Sequence, residues 1–348
     1  MAFPPKFTNI QPLSPGRNAT VFKAVNSFVG REVFLKVYPI PTEDSLSALR
    51  EPQLLCQLAH QNLVKIFGAD VLGGGRMLLE MELVTEGSFQ DLIDNEATRH
   101  GKWPSIHESL RLILEAAAGL SHLHSNGYVH RDIKPANLVI RKAGARRQGV
   151  VTDLGLASKL DQSGRAFASQ HARIYRPPEV WEGMGYSASS DVYQLGIVLF
   201  QLLGGTLDYG MSHLSDSDLK ARVVNGDVID IDSVGPHVEE RLRRIIRKCV
   251  CNEPERMGSI SDLVVGLNAV KVNHIDWIYT QLPGGFQLEQ NDSKGARYQV
   301  LVEVNGSQNK ASRRKQTAGG KFRAYGTPAI FEHKDIGRCQ KFRKFIAS

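Results

Sequence analysis

The spacing of apolar and polar residues divides the first 270 residues of the chain into two parts. Residues 6–84 contain short β-rich runs bounded by turn residues, as at 20–25 and 33–38, with one predicted helix at 52–59. Further on, apolar residues recur at helical spacing from Leu110 to Leu123, and Ser105 with Glu108 is typical of a capping box before them. The pattern predicts a β-rich unit followed by a helical one.

A third pattern begins after the last predicted helix of the helical unit, at 260–270. Residues 298–304 and 322–325 are predicted strands, and Asn305 with Gly306 is a typical turn between strands. The boundary falls at 273–277. The sequence therefore predicts a small β-containing extension at residues 273–348.

Composition places the chain among ordinary globular proteins. It has 348 residues, of which 42% are hydrophobic and 23% charged. The longest apolar stretch, around 195–203, is much shorter than the roughly 18 residues of a membrane span, and residues 1–6 lack the apolar core of a signal peptide. We expect no membrane association and a cytoplasmic protein. Cys249 and Cys251, with no second pair nearby, are better explained as buried helix residues than as metal ligands.

The basic charge of the chain is concentrated at its end. Residues 305–348 contain eleven Lys and Arg against two acidic residues, a net charge of +9, whereas the whole chain carries +7. Aromatic residues such as Phe322, Tyr325 and Phe342 are interleaved with these cations, as they are in nucleic-acid-binding surfaces. A small core with a solvated basic face, which packs on the helical unit or recruits an acidic partner, has the same composition. We prefer this second interpretation.

The chemistry of the chain is concentrated in two short motifs. The first, at 128–138, contains Asp132, Lys134 and Asn137, and the second, at 153–155, begins with Asp153. An Asp in a loop can orient a substrate hydroxyl and accept its proton, while an Asn and a second Asp can hold Mg²⁺ against nucleotide phosphates. This set of groups is suited to phosphoryl transfer.

These motifs resemble those of the eukaryotic-type (Hanks-type) serine/threonine protein kinase family. The resemblance implies an α+β, two-lobed protein-kinase-like fold at residues 1–272, with a small β-rich lobe at about 1–84 and a large helical lobe at about 85–272. It also implies ATP and Mg²⁺ as cofactors and a protein substrate with a Ser or Thr acceptor, since Lys134 stands two places after Asp132. Autophosphorylation is expected as well.

The resemblance carries over to individual residues. Asp132 would be the base, Lys134 would neutralise the transferring phosphoryl group, and Asn137 and Asp153 would hold the metal. Lys36 would grip the phosphates and Glu51 would brace it. Met81 would be the gatekeeper residue, and Glu82 to Val84 would offer backbone groups to adenine. The remaining nucleotide-binding positions implied by the family are Ser14, Gly16, Val21 and Phe34.

Two further matches lie downstream of the catalytic motifs. Residues 176–179 resemble the end of the family's activation segment, and 190–196 resemble the start of its buried central helix. Arg256 stands where the family keeps the arginine that pairs with the glutamate at 179. We therefore expect a buried, bidentate pair between Glu179 and Arg256.

Three departures from the family pattern bear on nucleotide binding. The Gly-rich loop keeps only Gly16, with Ser14 and Ala19 in place of its other glycines, which makes a stiffer phosphate loop or an ordinary hairpin turn. Phe34 replaces a small residue on the face that it shares with Lys36, so its ring either narrows the adenine pocket or fills a gap. Pro52 places Glu51 at the very start of a helix. The ion pair of Glu51 with Lys36 is then either formed under regulation, or permanent with an unusual path of the chain into the helix.

Regulation is less well specified. Arg131 is the residue by which family members sense a phosphate on the activation segment, and Ser158, Ser163 and Ser169 are candidate sites, with Ser169 the best placed. Ala172 stands where the family usually has Thr, and the missing hydroxyl bears on acceptor positioning.

Two functions follow from these observations. The first is an active kinase, because every catalytic position is filled. The second is a pseudokinase scaffold or sensor that binds partners or nucleic acid through its basic tail.

Overall fold

The computed structural model describes residues 2–13, 19–40, 56–98, 101–154, 157–167, 172–235, 237–270, 277–291, 295–305, 308–317, 320–332, 342 and 345–346, with 96–98 described for the backbone only. It is an α+β fold with a β-rich N-terminal part, a helical part after it, and further strands near the C-terminus. Within these residues no helix is both long and apolar enough to cross a membrane.

The N-terminal part is an antiparallel sheet with the strand order β1-β2-β3-β5-β4. Its strands are β1 (Phe7–Pro12), β2 (Thr20–Asn26), β3 (Arg31–Pro39), β4 (Ile66–Leu72) and β5 (Arg76–Glu82). Side chains alternate along β3, where Val33, Leu35 and Val37 are buried in the core of this sheet. Phe34 and Lys36 consequently share the opposite face, as the sequence predicts.

The helical part is built around the almost fully buried helix Ala188–Leu202. Its helices are α1 (Phe89–Leu92), α2 (Ile106–Ser125), α3 (Pro178–Trp181), α4 (Ala188–Leu202), α5 (Asp216–Val224), α6 (Glu240–Val250) and α7 (Ile260–Asn268). A π-helical turn, Ile93–Thr98, continues α1. Ser105 caps α2 by accepting a hydrogen bond from the Glu108 amide, so the predicted start of this helix is confirmed.

Two short two-stranded sheets carry the catalytic motifs on this helical part. Strand β6 (Tyr128–Val129) pairs with β9 (Ser158–Lys159), and β7 (Leu138–Ala143) pairs with β8 (Arg146–Val151). The first motif therefore runs from β6 into β7, and the second follows β8 directly.

The C-terminal strands form a sheet of their own in the order β10-β11-β12-β13-β14, with β15 also paired to β13. They are β10 (Ile278–Leu282), β11 (Gly285–Asn291), β12 (Arg297–Asn305), β13 (Gln308–Gln316), β14 (Arg323–Ala324) and β15 (Ala329–Glu332). The predicted strands at 298–304 and 322–325 correspond to β12 and to the much shorter β14. The apolar core of this sheet includes Trp277, Leu288, Val300, Phe331 and Phe342.

The C-terminal sheet is joined to the helical part along β10. The Trp103 amide donates to Tyr279 O at 3.1 Å, and the Gln281 amide donates to Gly101 O at 2.7 Å. The Tyr279 ring also lies between Trp103 and the buried His237, with ring centroids 5.4 and 5.3 Å away. The segment before α2 thus forms an isolated antiparallel bridge, Lys102 with Thr280, at the edge of this sheet.

Candidate active site

The loop between β6 and β7 brings the three predicted catalytic residues together. Asp132 Oδ2 accepts hydrogen bonds from Lys134 Nζ at 2.6 Å and from Asn137 Nδ2 at 2.9 Å. Asn137 Nδ2 also donates to the backbone carbonyl of Asp132 at 2.8 Å, which closes the loop on itself. The ammonium and the amide fix the Asp132 carboxylate through one of its two oxygens.

The second oxygen of Asp132 is left available. Its Oδ1 is buried and accepts no hydrogen bond from the part of the chain that the structure describes. A buried carboxylate oxygen without a donor is costly, and such groups are concentrated where a substrate supplies the missing partner. A substrate hydroxyl could donate its hydrogen here, which is the geometry that a general base requires.

Asp191, near the start of α4, fixes the backbone of the catalytic loop, which is the loop between β6 and β7. Its carboxylate is fully buried and accepts hydrogen bonds from the amides of His130 and Arg131, at 2.8 and 2.9 Å, and from His124 Nε2 at 2.7 Å. Burial alone would raise the pKa of Asp191, but these donors and the nearby imidazoles keep it below its usual value. The hydrogen bond from the Arg131 amide to Asp191 helps to stabilise the left-handed backbone of Arg131, whose φ is 72°.

Sequence reasoning placed Asp191 on the buried central helix and gave it no further role. His124, near the end of α2, was not among the predicted site residues, although its ring binds Asp191. The signal was Asp191 itself, the one charged residue of helix α4, because a buried carboxylate requires donors.

Lys36 from β3 contacts Asp153, which follows β8. The Lys36 ammonium donates to Asp153 Oδ1, and both side chains are partly shielded from solvent. Burial by itself would raise the pKa of Asp153, but the charge and hydrogen bond of Lys36, with help from His130 and Lys134, hold it below its usual value. The carboxylate is thus kept ionised, the form that binds a hard cation. Glu51 lies outside the described residues, so its pair with Lys36 stays a prediction.

The positions of Asn137 and Asp153 suit a magnesium ion shared with phosphates. The Thr152 amide donates to Asn137 O at 3.0 Å, so the backbones of the two predicted ligands are neighbours. An ionised carboxylate and a side-chain amide thus come from adjacent stretches of backbone. Mg²⁺ is commonly held by one or two protein oxygens together with substrate phosphates, and these residues fit that arrangement.

An apolar cluster lies between the first sheet and the β7–β8 hairpin, where adenine would bind. The half-buried Phe34, Val84 and Val139 pack there against a buried group that includes Met81 and Val150. Phe34 and Met81 are directly opposite each other on β3 and β5. The ring of Phe34 is therefore part of the lining of this cleft.

The rest of the predicted nucleotide site is described in part. Val21 on β2 pairs with Lys36 and is half-buried. The Glu82 amide donates to Lys65 O at 2.8 Å, so an adenine contact at Glu82 would have to use its carbonyl. The Glu82 carboxylate binds Arg141, at 2.7 and 2.6 Å, a role that the sequence did not suggest. Ser14 and Gly16 lie outside the described residues, between β1 and β2.

The described part of the activation segment contacts the catalytic loop. Arg131 Nη1 donates to Phe167 O at 2.9 Å. The side chain of Arg131, the predicted phosphate sensor, therefore binds the backbone of the activation segment. Ser158 lies in β9, Ser163 binds Asp161, and Ser169 is outside the described residues. Ala172 precedes the short 3₁₀ turn Arg173–Tyr175.

The predicted pair between Glu179 and Arg256 is confirmed. Arg256 Nη1 and Nη2 donate to the two oxygens of Glu179, each at 2.8 Å, and both side chains are almost fully buried. Ser190 Oγ donates to the same carboxylate at 2.7 Å, and the Tyr193 ring lies against the guanidinium. The pair joins α3 to the segment after α6.

Comparisons with known proteins agree with this geometry. A family model described as the protein kinase domain matches residues 7–265. The inhibitor of nuclear factor kappa-B kinase subunit epsilon of Mus musculus is 32% identical over 213 residues, which are 57% of this chain and 29% of that protein. The DNA damage-responsive serine/threonine-protein kinase RqkA of Deinococcus radiodurans is 30% identical over 257 residues, 70% of this chain and 36% of that protein.

A probable serine/threonine-protein kinase of Clostridium acetobutylicum is similar over a longer stretch. It is 27% identical over 300 residues, which are 80% of this chain and 42% of that protein. The chain thus spans less than half the length of each of these three relatives.

Proposed function

The chain belongs to the protein kinase family, and from this premise we propose that it transfers the γ-phosphate of ATP to Ser or Thr hydroxyls of proteins in a Mg²⁺-dependent reaction. The observation that carries the proposal is the state of Asp132. One carboxylate oxygen is fixed by Lys134 and Asn137, while the other is buried and unpartnered among the described residues. The unpartnered oxygen can accept the hydrogen of a substrate hydroxyl, as a general base must.

In the proposed reaction the acceptor hydroxyl donates its hydrogen to Asp132 Oδ1. Its oxygen attacks the γ-phosphorus, the bond from that phosphorus to the bridging oxygen breaks, and ADP leaves with the electron pair. Lys134, already at Asp132, offsets negative charge on the transferring group, and Lys36 binds phosphate oxygens. Asn137 and Asp153 would hold Mg²⁺, which supplies further charge neutralisation when bound.

The choice of Ser and Thr acceptors rests on Lys134 and on the names of the relatives. Two of the three relatives reported above are named as serine/threonine-protein kinases. We also propose autophosphorylation in the activation segment, since Arg131 already contacts that segment two residues before Ser169.

Incubation of the purified protein with γ-labelled ATP, Mg²⁺ and a generic basic protein substrate tests both proposals. Phosphate is expected on Ser and Thr of the substrate and on the chain itself, with no incorporation when EDTA is added. Phosphotyrosine as the main product would contradict the acceptor choice, and transfer that survives EDTA would contradict the metal requirement.

A second candidate function is a pseudokinase scaffold, which the position of Phe34 favours. Its half-buried ring packs on Met81 inside the cleft, where adenine would have to fit. Titration with a fluorescent ATP analogue and Mg²⁺ separates the candidates. Binding in the micromolar range supports the enzyme, whereas a scaffold that has lost its nucleotide site would show none.

We propose that residues 273–348 form a separate unit that docks on the large lobe and helps to recruit substrate. The contacts of β10 with Gly101 and Trp103 support docking. Several of the basic residues are engaged within the unit, since Arg313 stacks on Phe345 and Tyr325, and Lys315 lies over Tyr298. Aromatic rings used in this way are less available to stack on bases, which makes nucleic-acid sensing the weaker alternative.

A further inference from the structure

Helix α6 is strongly amphipathic, and its solvent-facing side is basic. Leu242, Ile245, Ile246 and Cys249 are buried against the lobe core. Arg241, Arg244 and Lys248 are exposed and follow each other at three- and four-residue spacing, which places them along one stripe of the helix. The stripe lies outside the cleft and is unused by the phosphoryl-transfer chemistry.

Beside this stripe is a surface groove of about 690 Å³. A volume of this order is typical of sites that take a small ligand or a few side chains of a peptide. The groove is lined by more basic than acidic side chains and has an apolar part. Its lining contains four cations, Arg241, Arg244, Arg247 and Lys248, one acidic residue, Glu255, and the apolar side chains of Ile245 and Met257.

The positive charge of the groove is only partly neutralised within the chain. Arg247 pairs with Glu240 at 2.9 Å. Lys248 Nζ donates to the backbone carbonyl of Glu255, at 3.4 Å. The side chains of Arg241 and Arg244 form no hydrogen bond or ion pair with any residue that the structure describes. Two guanidinium groups, one helical turn apart, are thus left to bind anions.

We propose that this groove binds an acidic peptide segment of a protein partner. The carboxylates of the segment pair with Arg241 and Arg244, since a guanidinium can bind a carboxylate through two parallel hydrogen bonds. An apolar side chain between those carboxylates packs on Ile245 and Met257. Four cations against the single carboxylate of Glu255 leave the lining positive, which favours an occupant of opposite charge, and the apolar side chains favour one that is not uniformly charged.

A peptide matches the groove better than other polyanions do. The named lining contains no aromatic ring on which a nucleic-acid base could stack. A membrane surface is flat on this scale and would leave the apolar part of a concave groove unfilled. The inference is independent of phosphoryl transfer, because it concerns binding alone and none of the predicted nucleotide or catalytic residues lines the groove.

The test measures binding of a defined probe to the full chain by fluorescence anisotropy. The probe is a fluorescein-labelled dodecapeptide of glutamate pairs separated by single leucines, and its control carries glutamine in place of every glutamate. The double variant Arg241→Gln/Arg244→Gln should weaken binding of the acidic probe by roughly tenfold. Lys142→Gln/Arg146→Gln, which removes two exposed cations on the β7–β8 hairpin, should leave it unchanged.

Cysteine alkylation provides a second measurement that locates the probe. Cys251 lines the groove and is half-buried, while Cys56 is exposed elsewhere. Saturating acidic probe should slow the reaction of Cys251 with iodoacetamide several-fold, as followed by mass spectrometry, and should leave Cys56 unaffected. If the double variant melts at a lower temperature than the wild type, Arg244→Gln alone replaces it.

Four results would overturn the proposal. They are no detectable binding of the acidic probe, equal binding of the glutamine control, equal loss of affinity in both double variants, and no protection of Cys251. Tighter binding of phosphatidylserine vesicles or of single-stranded RNA than of the peptide, lost in Arg241→Gln/Arg244→Gln, would assign the groove to a membrane or to nucleic acid instead.

Discussion

Phe34 on β3 is paired directly with Met81 on β5, and both side chains line the apolar cleft between the two lobes. A small residue at 34 would leave more room for adenine, as the family pattern implies. Phe34 is half-buried, so its ring stabilises the cluster less than a fully buried ring would. Its position therefore affects nucleotide binding more than folding.

Phe34→Ala is expected to tighten the binding of an ATP analogue several-fold. The loss in unfolding free energy should be about 1–2 kcal/mol, below the ~3–5 kcal/mol typical of a fully buried aromatic ring. Calorimetric titration and denaturant unfolding measure the two effects. Phe67→Ala on β4, outside the cleft cluster, is the control. Weaker nucleotide binding together with a large loss of stability would show that the ring fills the core and does not crowd the site.

The buried pair of Arg256 and Glu179 should dominate the local stability of the large lobe. Arg256→Ala leaves the Glu179 carboxylate buried without its main partner, a change that typically costs about 3–5 kcal/mol. Lys23→Ala, which removes the exposed pair with Glu32, should cost at most about 1 kcal/mol. Urea unfolding of both variants makes the comparison, and a loss at Arg256 no larger than that at Lys23 would contradict it.

His237 should make the protein sensitive to acid. Burial, with a smaller contribution from Arg243, lowers the pKa of His237 from 6.5 to about 3, so the folded protein holds the ring neutral. The unfolded chain takes up a proton near the ordinary pKa. The resulting stability is fully present above pH 6.5 and is lost as the pH falls from there towards 3.

His237→Phe keeps a ring against Tyr279 and removes this proton uptake. The drop in unfolding free energy between pH 7 and pH 5 should shrink by up to about 2 kcal/mol relative to the wild type. Urea titrations at the two pH values measure it, with His213→Phe, at an exposed position, as the control. An unchanged drop would mean that His237 is protonated in the folded protein.

The contact between Gly101 and β10 can be tested with a matched pair of glycines. Gly101 and Gly144 both have positive φ, 61° and 64°. A Cβ at Gly101 would lie 2.9 Å from the Gln281 carbonyl, whereas one at Gly144 would meet nothing within 4 Å. Both Ala variants bear the backbone cost of about 1–2 kcal/mol, and Gly101→Ala should lose more because it also displaces β10.

Hydrogen exchange should locate that difference. In Gly101→Ala the amide of Gln281 is expected to exchange faster, since its bond to Gly101 O is weakened. Gly144→Ala should leave that amide as protected as in the wild type. Equal stabilities and equal protection of Gln281 in the two variants would show that the C-terminal sheet does not rely on this contact.

Much of the kinase-like part could be predicted from the sequence, because short motifs in a fixed order identify it. The shared face of Phe34 and Lys36 follows from strand alternation, and the Glu179–Arg256 pair follows from the family pattern. The contact of Lys36 with Asp153 is different, since it joins residues 117 positions apart and depends on how the two lobes close. The hydrogen bond from Arg141 to the Glu82 carboxylate has the same long-range character.

The C-terminal sheet shows where sequence reasoning fails. Strand β13 has four cations in nine residues and no regular apolar alternation, so it does not have the pattern of a strand. It is nevertheless the most connected strand of its sheet, paired with β12, β14 and β15. Arg313 takes the place that an apolar side chain would have in the packing, because its guanidinium stacks on the rings of Tyr325 and Phe345. A local pattern cannot anticipate packing that aromatic rings from distant positions provide.

The measurement that tests the central claim most directly is the initial rate of phosphate transfer from γ-labelled ATP by the wild type and by Asp132→Asn. The substitution keeps the size of the side chain and removes its ability to take a proton, so the rate should fall by roughly 10²–10⁴-fold at an unchanged melting temperature. Asp227→Asn, at an exposed position, should retain the wild-type rate. Transfer by Asp132→Asn at a rate comparable to the wild type would contradict the assignment of Asp132 as the base and, with it, this account of the site.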